Sequence, residues 1–194
     1  LEGEEMPVRI EGFSGGDRTS LDLPAVQQAL LEKVVAAAPG KPVVLVLLNG
    51  SALAVGWADR NVPAIVEAWY PGEAAGTAVA DVLFGNVSPA GRLPVTFYRS
   101  LDQLPPFDDY TMEGRTYRYF AGEPLYPFGH GLSYSSFAYA NLAVPKKAVV
   151  GAPVAVAVEV RNAGAVPADE GVQLYVTDHE ASGPLPRRGL KGVE

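Results

Sequence analysis

The sequence predicts an α/β domain with a mainly parallel sheet and flanking helices, followed by an antiparallel β-sandwich. The run PVVLVLL at 42–48 is uninterrupted and aliphatic, as in a strand buried on both faces of a parallel sheet. Helical and strand patterns alternate along residues 24–97, which is typical of α/β domains. From residue 137 apolar residues recur at every second position, which indicates antiparallel strands.

The α/β part begins with a predicted helix at residues 24–38. Pro24 suits the first helical position, and Ser20 or Asp22 is expected to cap the helix. An apolar stripe near the helical period consists of Val26, Leu30, Leu31, Val34 and Val35. The elements expected next are strands at 42–48 and 64–69, a helix at 73–85 that ends at Gly85, and a short strand at 92–97.

The chain divides into three predicted parts. Residues 1–100 form the α/β sandwich domain, and residues 101–136 form a connecting segment rich in aromatic residues, Pro and Gly. Residues 137–194 form a fibronectin type III-like or immunoglobulin-like domain by their strand spacing, with strands at FAYANLAV, PVAVAVEVRN and EGVQLYVTD. Because a helix precedes the first strand and the sandwich has too few strands, we expect both domains to be incomplete.

Composition excludes several classes of function. The formal net charge of −7 argues against a nucleic-acid partner and against an anionic membrane surface. The chain has no cysteine and two histidines far apart in sequence, so thiol chemistry and a histidine zinc site are not expected. No apolar run reaches the length of a membrane span.

The first eighteen residues, LEGEEMPVRIEGFSGGDR, are called here the acidic strip. They hold five carboxylates and four glycines. A solvated tail is one interpretation, and a catalytic loop is the other. General acid catalysis needs a carboxyl group with a raised pKa, and neighbouring carboxylates raise one another's pKa.

Three other sequence segments have both a structural and a functional interpretation. Asn49-Gly50-Ser51 follows a buried strand, where open α/β sheets bind ligands, but an ordinary turn is the favoured interpretation. The segment GRTYRYF contains Arg115, Tyr117 and Arg118, which can bind sugar hydroxyls and ring faces or pack between domains. His130, between two glycines, is expected to be a structural residue of a tight turn.

Several phrases together resemble glycoside hydrolase family 3, the family of β-glucosidases and β-xylosidases. They are EGEE…GGDR, KPVVLVLLNGSAL, AIVEAWYPGEAAGTAVADVLFGNVSPAGRLPVTF, YRYF and PLYPFGHGLSYSSFAYANL. The resemblance implies an N-terminal barrel with a nucleophilic Asp, then an α/β sandwich whose loop supplies the general acid/base Glu, and often a fibronectin type III-like domain. It thus implies that this chain is the C-terminal part, without the barrel.

The resemblance also assigns roles to residues of the acidic strip. Gly3-Glu4-Glu5 best matches the family's Gly-Glu-Gly before Asp-Arg, which makes Glu4 the expected acid/base, Glu5 the second choice and Glu2 the third. Glu5 stands where Gly is common, so the register is ambiguous. Asp17-Arg18 matches the family's Asp-Arg pair and is expected to hold a loop end.

Two functions of different classes follow. The first is the acid/base half of a retaining, exo-acting β-glycosidase, which is expected to be inactive without its barrel. This function implies neither a metal nor an organic cofactor. Its substrate is a β-linked oligosaccharide or an aryl or alkyl β-glycoside, and Arg115, Tyr117 and Arg118 are its expected substrate-binding residues. The second is a non-catalytic carbohydrate-binding or interaction module. The family resemblance favours a periplasmic or extracellular location.

Overall fold

The computed structural model describes residues 13–14, 17–180, 183 and 185–194. In chain order, the elements are β1 Phe13–Ser14, β2 Asp17–Arg18, α1 Ala25–Ala37, β3 Val44–Leu47, α2 Gly56–Asn61, β4 Ala64–Glu67, α3 Ala75–Leu83, a 3₁₀ turn Leu101–Gln103, α4 Thr116–Tyr119, β5 Phe137–Ala143, β6 Ala157–Asn162, β7 Gln173–Val176 and β8 Gly189–Val193. The fold is thus mixed α/β, as predicted. No helix within the described ranges is long and apolar enough to cross a membrane.

Strands β3 and β4 are parallel and pair from Val44↔Ala64 to Leu47↔Glu67. The crossover between them contains α2, which the sequence analysis did not predict because its six residues, GWADRN, show no apolar period. Strand β4 ends earlier than predicted, because the left-handed Trp69 (φ 53°) cannot continue an extended strand.

Helix α1 forms where it was predicted, but its start differs. Pro24 is the N-cap residue, with extended backbone (ψ 138°), and not the first helical residue. Neither predicted cap acts as one, because the Ser20 hydroxyl instead donates to Asp22 Oδ2 at 2.8 Å. The carbonyl of Pro24 accepts from the amides of Gln27 and Gln28 and so begins the helix.

One face of α1 packs on the hydrophobic core. Leu31 is buried and Val35 packs beside it, whereas the other residues of the predicted stripe, Val26, Leu30 and Val34, are exposed. The core lies between α1, β3, α2 and the segments that follow α3. Its buried members are Leu31, Leu47, Leu53, Val55, Ala58, Val62, Phe97 and Leu125.

The prediction of a strand at 92–97 is wrong. Only Phe97 forms an antiparallel bridge, with Tyr126, while Leu93 exchanges hydrogen bonds with the turn around His130. Pro94 lies between these two contacts and has no amide hydrogen, so a regular ladder cannot form. The helix predicted before this segment is confirmed as α3, and Gly85 follows it with a φ of 76°.

The last part of the chain forms two antiparallel hairpins. Strand β5 pairs with β6 from Phe137↔Asn162, and β7 pairs with β8 from Gln173↔Val193. The β5–β6 register shifts after Ala140, next to Asn141 in a left-handed conformation. The three strands named from sequence are present and β8 is a fourth, while the fibronectin type III-like sandwich stays a prediction.

An ion pair joins the α/β part to these hairpins. Arg92 and Glu170 form a salt bridge, and only 14% and 15% of their side chains are exposed. The Tyr139 hydroxyl donates to the same carboxylate at 2.6 Å. Burial, with Glu170 as the next contributor, raises the pKa of Tyr139 to about 12. These two bonds satisfy a carboxylate that would otherwise be costly to bury.

His130 lies in the tight turn predicted for it, with its ring stacked 5.1 Å from that of Tyr126. Burial lowers the pKa of the imidazole, Arg92 acts in the same direction, and Asp59 opposes them. At pH values just below 6.5, the ordinary pKa of histidine, this imidazole therefore binds a proton more readily in the unfolded chain than in the folded protein.

We expect stability to be lost as the pH falls below 6.5, and His130→Phe to weaken this pH dependence because Phe keeps the stacking without titrating. Hydrogen-exchange protection factors of the amides around residues 126–130 in the full-length protein, measured between pH 7.5 and 5, test both expectations. Parallel profiles of the two proteins would contradict this prediction.

Candidate functional site

Polar side chains gather at the carboxyl ends of β3 and β4, where parallel sheets bind ligands. We call this group the strand-edge cluster, and it consists of Arg18, Asn49, Ser51, Glu67 and Trp69. Strand β3 leads directly into Asn49 and Ser51, while Glu67 is the last residue of β4. Arg18 reaches the same edge from β2. The cluster therefore joins the start of the described chain to the sheet.

Hydrogen bonds connect the cluster from end to end. Arg18 Nη1 donates to Ser51 Oγ at 2.7 Å. Asn49 Nδ2 donates to the carbonyl of Ser51 at 2.7 Å and to Glu67 Oε2 at 3.3 Å. The other carboxylate oxygen of Glu67 accepts from the amide of Trp69 at 3.0 Å. The Asn49-Gly50-Ser51 turn is thus fixed by side chains on both sides.

Glu67 is the acidic residue of the strand-edge cluster. Its partial burial raises the pKa of the carboxyl, while the bonds from Trp69 and Asn49 oppose this shift by stabilising the carboxylate. Asn49 Oδ1 is buried and has no hydrogen-bond partner among the described residues. A half-buried carboxyl beside an unsatisfied amide oxygen is more typical of a site than of an ordinary turn.

The backbone at this edge is strained. Trp69 has a φ of 53°, which is unfavourable for a bulky residue, and its ring contacts the edge of Phe97 with centroids 6.0 Å apart. Next to it, the exposed Tyr70 ring lies against Gly50, where an added Cβ would meet Tyr70 Cε2 at 2.6 Å. A side chain at this position would therefore require the exposed Tyr70 ring to move aside.

The predicted catalytic residues Glu4 and Glu5, and Glu2 behind them, lie outside the described residues. The described part of the acidic strip ends in the β1–β2 hairpin, with Phe13 paired to Arg18 and Ser14 to Asp17. A hairpin was not predicted here, since the strip was interpreted as loop. Because Arg18 belongs to this hairpin and to the strand-edge cluster, the strip is attached to the sheet edge.

The three predicted substrate-binding residues lie together around α4 and have different environments. Arg115 Nη2 donates to the carbonyls of Pro106 and Asp109, both at 2.8 Å, and so closes the preceding loop. Tyr117 stacks on Phe128 with ring centroids 4.3 Å apart. The guanidinium of Arg118 is exposed and donates through Nε to the Tyr117 hydroxyl at 3.3 Å. This bond is the main reason why the pKa of Tyr117 is lowered.

Tyr117 also lines a cleft of about 330 Å³ between the connecting segment and the last hairpin. Two cations that the sequence analysis did not consider, Arg187 and Arg188, line it as well. Arg187 donates to the carbonyl of Phe120 at 3.1 Å, and Arg188 lies 5.1 Å from the ring centre of Tyr175. These contacts hold the connecting segment and the last two strands together.

Two features of the candidate site were missed from sequence. Glu67 was included in a strand pattern, and Arg18 was considered only as part of an Asp-Arg pair. A signal for Glu67 was available, because it is the one charged residue in the apolar stretch AIVEAW. Within the described ranges, no group of three or more His, Asp or Glu side chains is arranged to hold a metal ion.

Residues 2–134 match the family model described as the glycosyl hydrolase family 3 C-terminal domain, and the chain therefore belongs to this family. The match confirms the resemblance found in the sequence. It includes the acidic strip, the strand-edge cluster and the connecting segment.

Curated relatives and solved structures agree with this assignment. The chain is 50% identical to a xylan 1,4-β-xylosidase of Xylanibacter ruminicola over its whole length and 22% of that protein. It is 42% identical to thermostable β-glucosidase B of Acetivibrio thermocellus, over 95% of the chain and 25% of that protein. A β-glucosidase structure from Erythrobacter marinus superposes with a TM-score of 0.78 at 41% identity, covering 96% of the chain and 25% of that protein. The chain thus spans about a quarter of these relatives' length.

Proposed function

We propose that this chain is the acid/base half of a retaining, exo-acting β-glycosidase. The reaction removes terminal β-D-glucosyl or β-D-xylosyl residues from the non-reducing end of oligosaccharides or of aryl and alkyl β-glycosides. The observation that carries the proposal is the family match from residue 2, which takes in the acidic strip. The β-xylosidase and β-glucosidase relatives support the substrate class.

In this proposal Glu4 is the general acid/base, with Glu5 and then Glu2 as alternatives in the same strip. The nucleophile is an Asp of an N-terminal barrel in the longer protein. A retaining glycosidase needs its two carboxyl groups about 5–5.5 Å apart, one protonated and one ionised. A glycine-containing strip that is joined to the sheet edge through Arg18 is suited to bring one carboxyl group to a second domain. Because the chain supplies one of the two groups, we expect it to be inactive alone.

The proposal also gives roles to the residues around α4. The exposed guanidinium of Arg118 is available to donate to sugar hydroxyls. Arg115 and Tyr117 are engaged with other residues of the chain, so we propose that they act mainly by holding Arg118 and its loop in place. The antiparallel hairpins from Phe137 onward are proposed to be part of a fibronectin type III-like domain.

The stereochemistry of hydrolysis tests this proposal in the full-length protein. We expect an aryl β-D-glucoside or β-D-xyloside to be hydrolysed with the β-anomer of the free sugar appearing first in a proton NMR time course, since two displacements retain configuration. The isolated chain, assayed in parallel, is expected to give no hydrolysis. First appearance of the α-anomer would exclude a retaining mechanism. Binding of the sugar without hydrolysis by the full-length protein would instead support the carbohydrate-binding module.

A further inference from the structure

The β1–β2 hairpin is too small to hold its own position. It consists of two residue pairs, Phe13↔Arg18 and Ser14↔Asp17, and even longer isolated hairpins are only marginally stable in water. Its position therefore depends on bonds to the rest of the protein. Two such bonds are present near its end: Arg18 Nη1 donates to Ser51 Oγ, and the carbonyl of Leu21 accepts from the amide of Ala54 at 2.8 Å.

Ser51 can hold Arg18 only if its own turn is fixed. The turn carries Gly50, so its backbone is intrinsically free, and the restraint comes from Asn49. The Asn49 amide bridges the carbonyl of Ser51 and the carboxylate of Glu67. Glu67 in turn is fixed at the end of β4 by the amide of the strained Trp69. The series of contacts runs from the sheet to the hairpin without a gap.

The identity of Glu67 needs an explanation beyond stability. A half-buried carboxylate at the end of a strand costs solvation free energy, and the cluster leaves Asn49 Oδ1 without a hydrogen-bond partner among the described residues. An apolar residue at this position would avoid the solvation cost of the carboxylate. A carboxylate does one thing here that an apolar side chain cannot: it orients the Asn49 amide toward the turn that holds Arg18.

We propose that Ser51, Asn49 and Glu67 are positioning residues that act through Arg18 to hold the β1–β2 hairpin, the described end of the acidic strip, at the sheet edge, and so orient the strip's acid toward the substrate. This inference rests on the proposed function, because it assumes that the strip supplies the general acid. It assigns no contact with substrate to these three side chains. They determine how precisely the strip's acid faces the leaving-group oxygen, and a displacement of about 1 Å costs about 10²-fold in rate.

The test uses two single variants of the full-length enzyme, Ser51→Ala and Glu67→Gln. For each variant it compares two substrates that differ in their leaving group. An alkyl β-glycoside needs its leaving oxygen protonated, whereas a 2,4-dinitrophenyl β-glycoside departs without a proton. We expect kcat/KM for the alkyl substrate to fall about 10- to 100-fold, as for a slightly misplaced acid. For the dinitrophenyl substrate, kcat/KM is expected to change less than about 3-fold, since binding and the nucleophile are intact.

Asn86→Ala is the matched control, because Asn86 Nδ2 also donates to a carboxylate, Asp81 Oδ1, at 3.0 Å, and this pair at the end of α3 is not part of the strand-edge cluster. We expect it to leave both substrates unaffected. Equal losses on both substrates, or no loss on either, would overturn the positioning role. If one of the two variants does not fold, the other gives the same comparison. The proposed function itself is tested by Glu4→Gln, Glu5→Gln and Glu2→Gln, each made alone. If none of them changes the ratio of kcat/KM between the alkyl and the dinitrophenyl substrate, the proposed function fails instead.

Discussion

Replacing Glu4 by Gln in the full-length enzyme is expected to lower kcat/KM for alkyl β-glycosides by about 10²- to 10⁴-fold, the usual contribution of a positioned general acid. The same variant is expected to keep most of its kcat/KM for a 2,4-dinitrophenyl β-glycoside, whose leaving group needs no proton. Steady-state kinetics on the two substrates measure both. Loss of the acid also removes the alkaline limb from the pH profile of kcat/KM for the alkyl substrate.

Glu11→Gln is the matched control for this experiment, since it changes a carboxylate of the same acidic strip to the same amide. We expect it to leave both rates near those of the unchanged enzyme. Glu5→Gln and Glu2→Gln show which of the three glutamates is the acid. Only one position in the strip should give a large loss on the alkyl substrate with a small loss on the dinitrophenyl substrate. A large loss at Glu11 with none at Glu4 would mean that the acid has been assigned to the wrong part of the strip.

The second large effect is expected in the core. Phe97 is 2% exposed and lies between the rings of Trp69 and Tyr126, with centroids 6.0 and 6.2 Å away. Its backbone also exchanges hydrogen bonds with Tyr126. Phe97→Ala leaves a cavity where three elements meet, and we expect it to lower the free energy of unfolding by about 3–5 kcal/mol.

Hydrogen exchange measured by mass spectrometry reads this effect within the full-length protein, where a single unfolding midpoint would mix several domains. Amides around residues 93–97 and 125–130 should lose protection together. Phe84→Ala removes the same side chain from a position that is 83% exposed, and it should change protection by no more than about 0.5 kcal/mol. Similar effects at both positions would show that Phe97 is not a core residue.

Sequence patterns predicted the elements whose residues follow a clear period. Helix α1 and strands β3 and β4 form within the predicted ranges, because helical spacing and aliphatic runs reflect burial directly. Helix α2 and the irregular 92–97 segment were not predicted correctly. Their conformations depend on tertiary contacts, such as the Leu93 and Phe97 hydrogen bonds to the 126–130 turn, which no local pattern encodes.

The candidate site shows the same division. The acidic strip and the Asn49-Gly50-Ser51 turn were recognisable from local composition and from the strand before the turn. The bonds that join them were not, because Arg18 and Ser51 are 33 residues apart and Glu67 is 18 residues from Asn49. Only the parallel pairing of β3 with β4 brings these side chains to one edge.

The Arg92–Glu170 ion pair limits which foreign C-terminal modules recombination can join to this α/β part. The family match ends at residue 134, yet Arg92 pairs with a carboxylate 78 positions further along, in the hairpin region. A chimaera that joins this α/β part to a foreign C-terminal module would keep Arg92 without its partner. The unpaired cation would be expensive to bury. Viable chimaeras should therefore inherit an acidic residue equivalent to Glu170, or lose Arg92 at the same time.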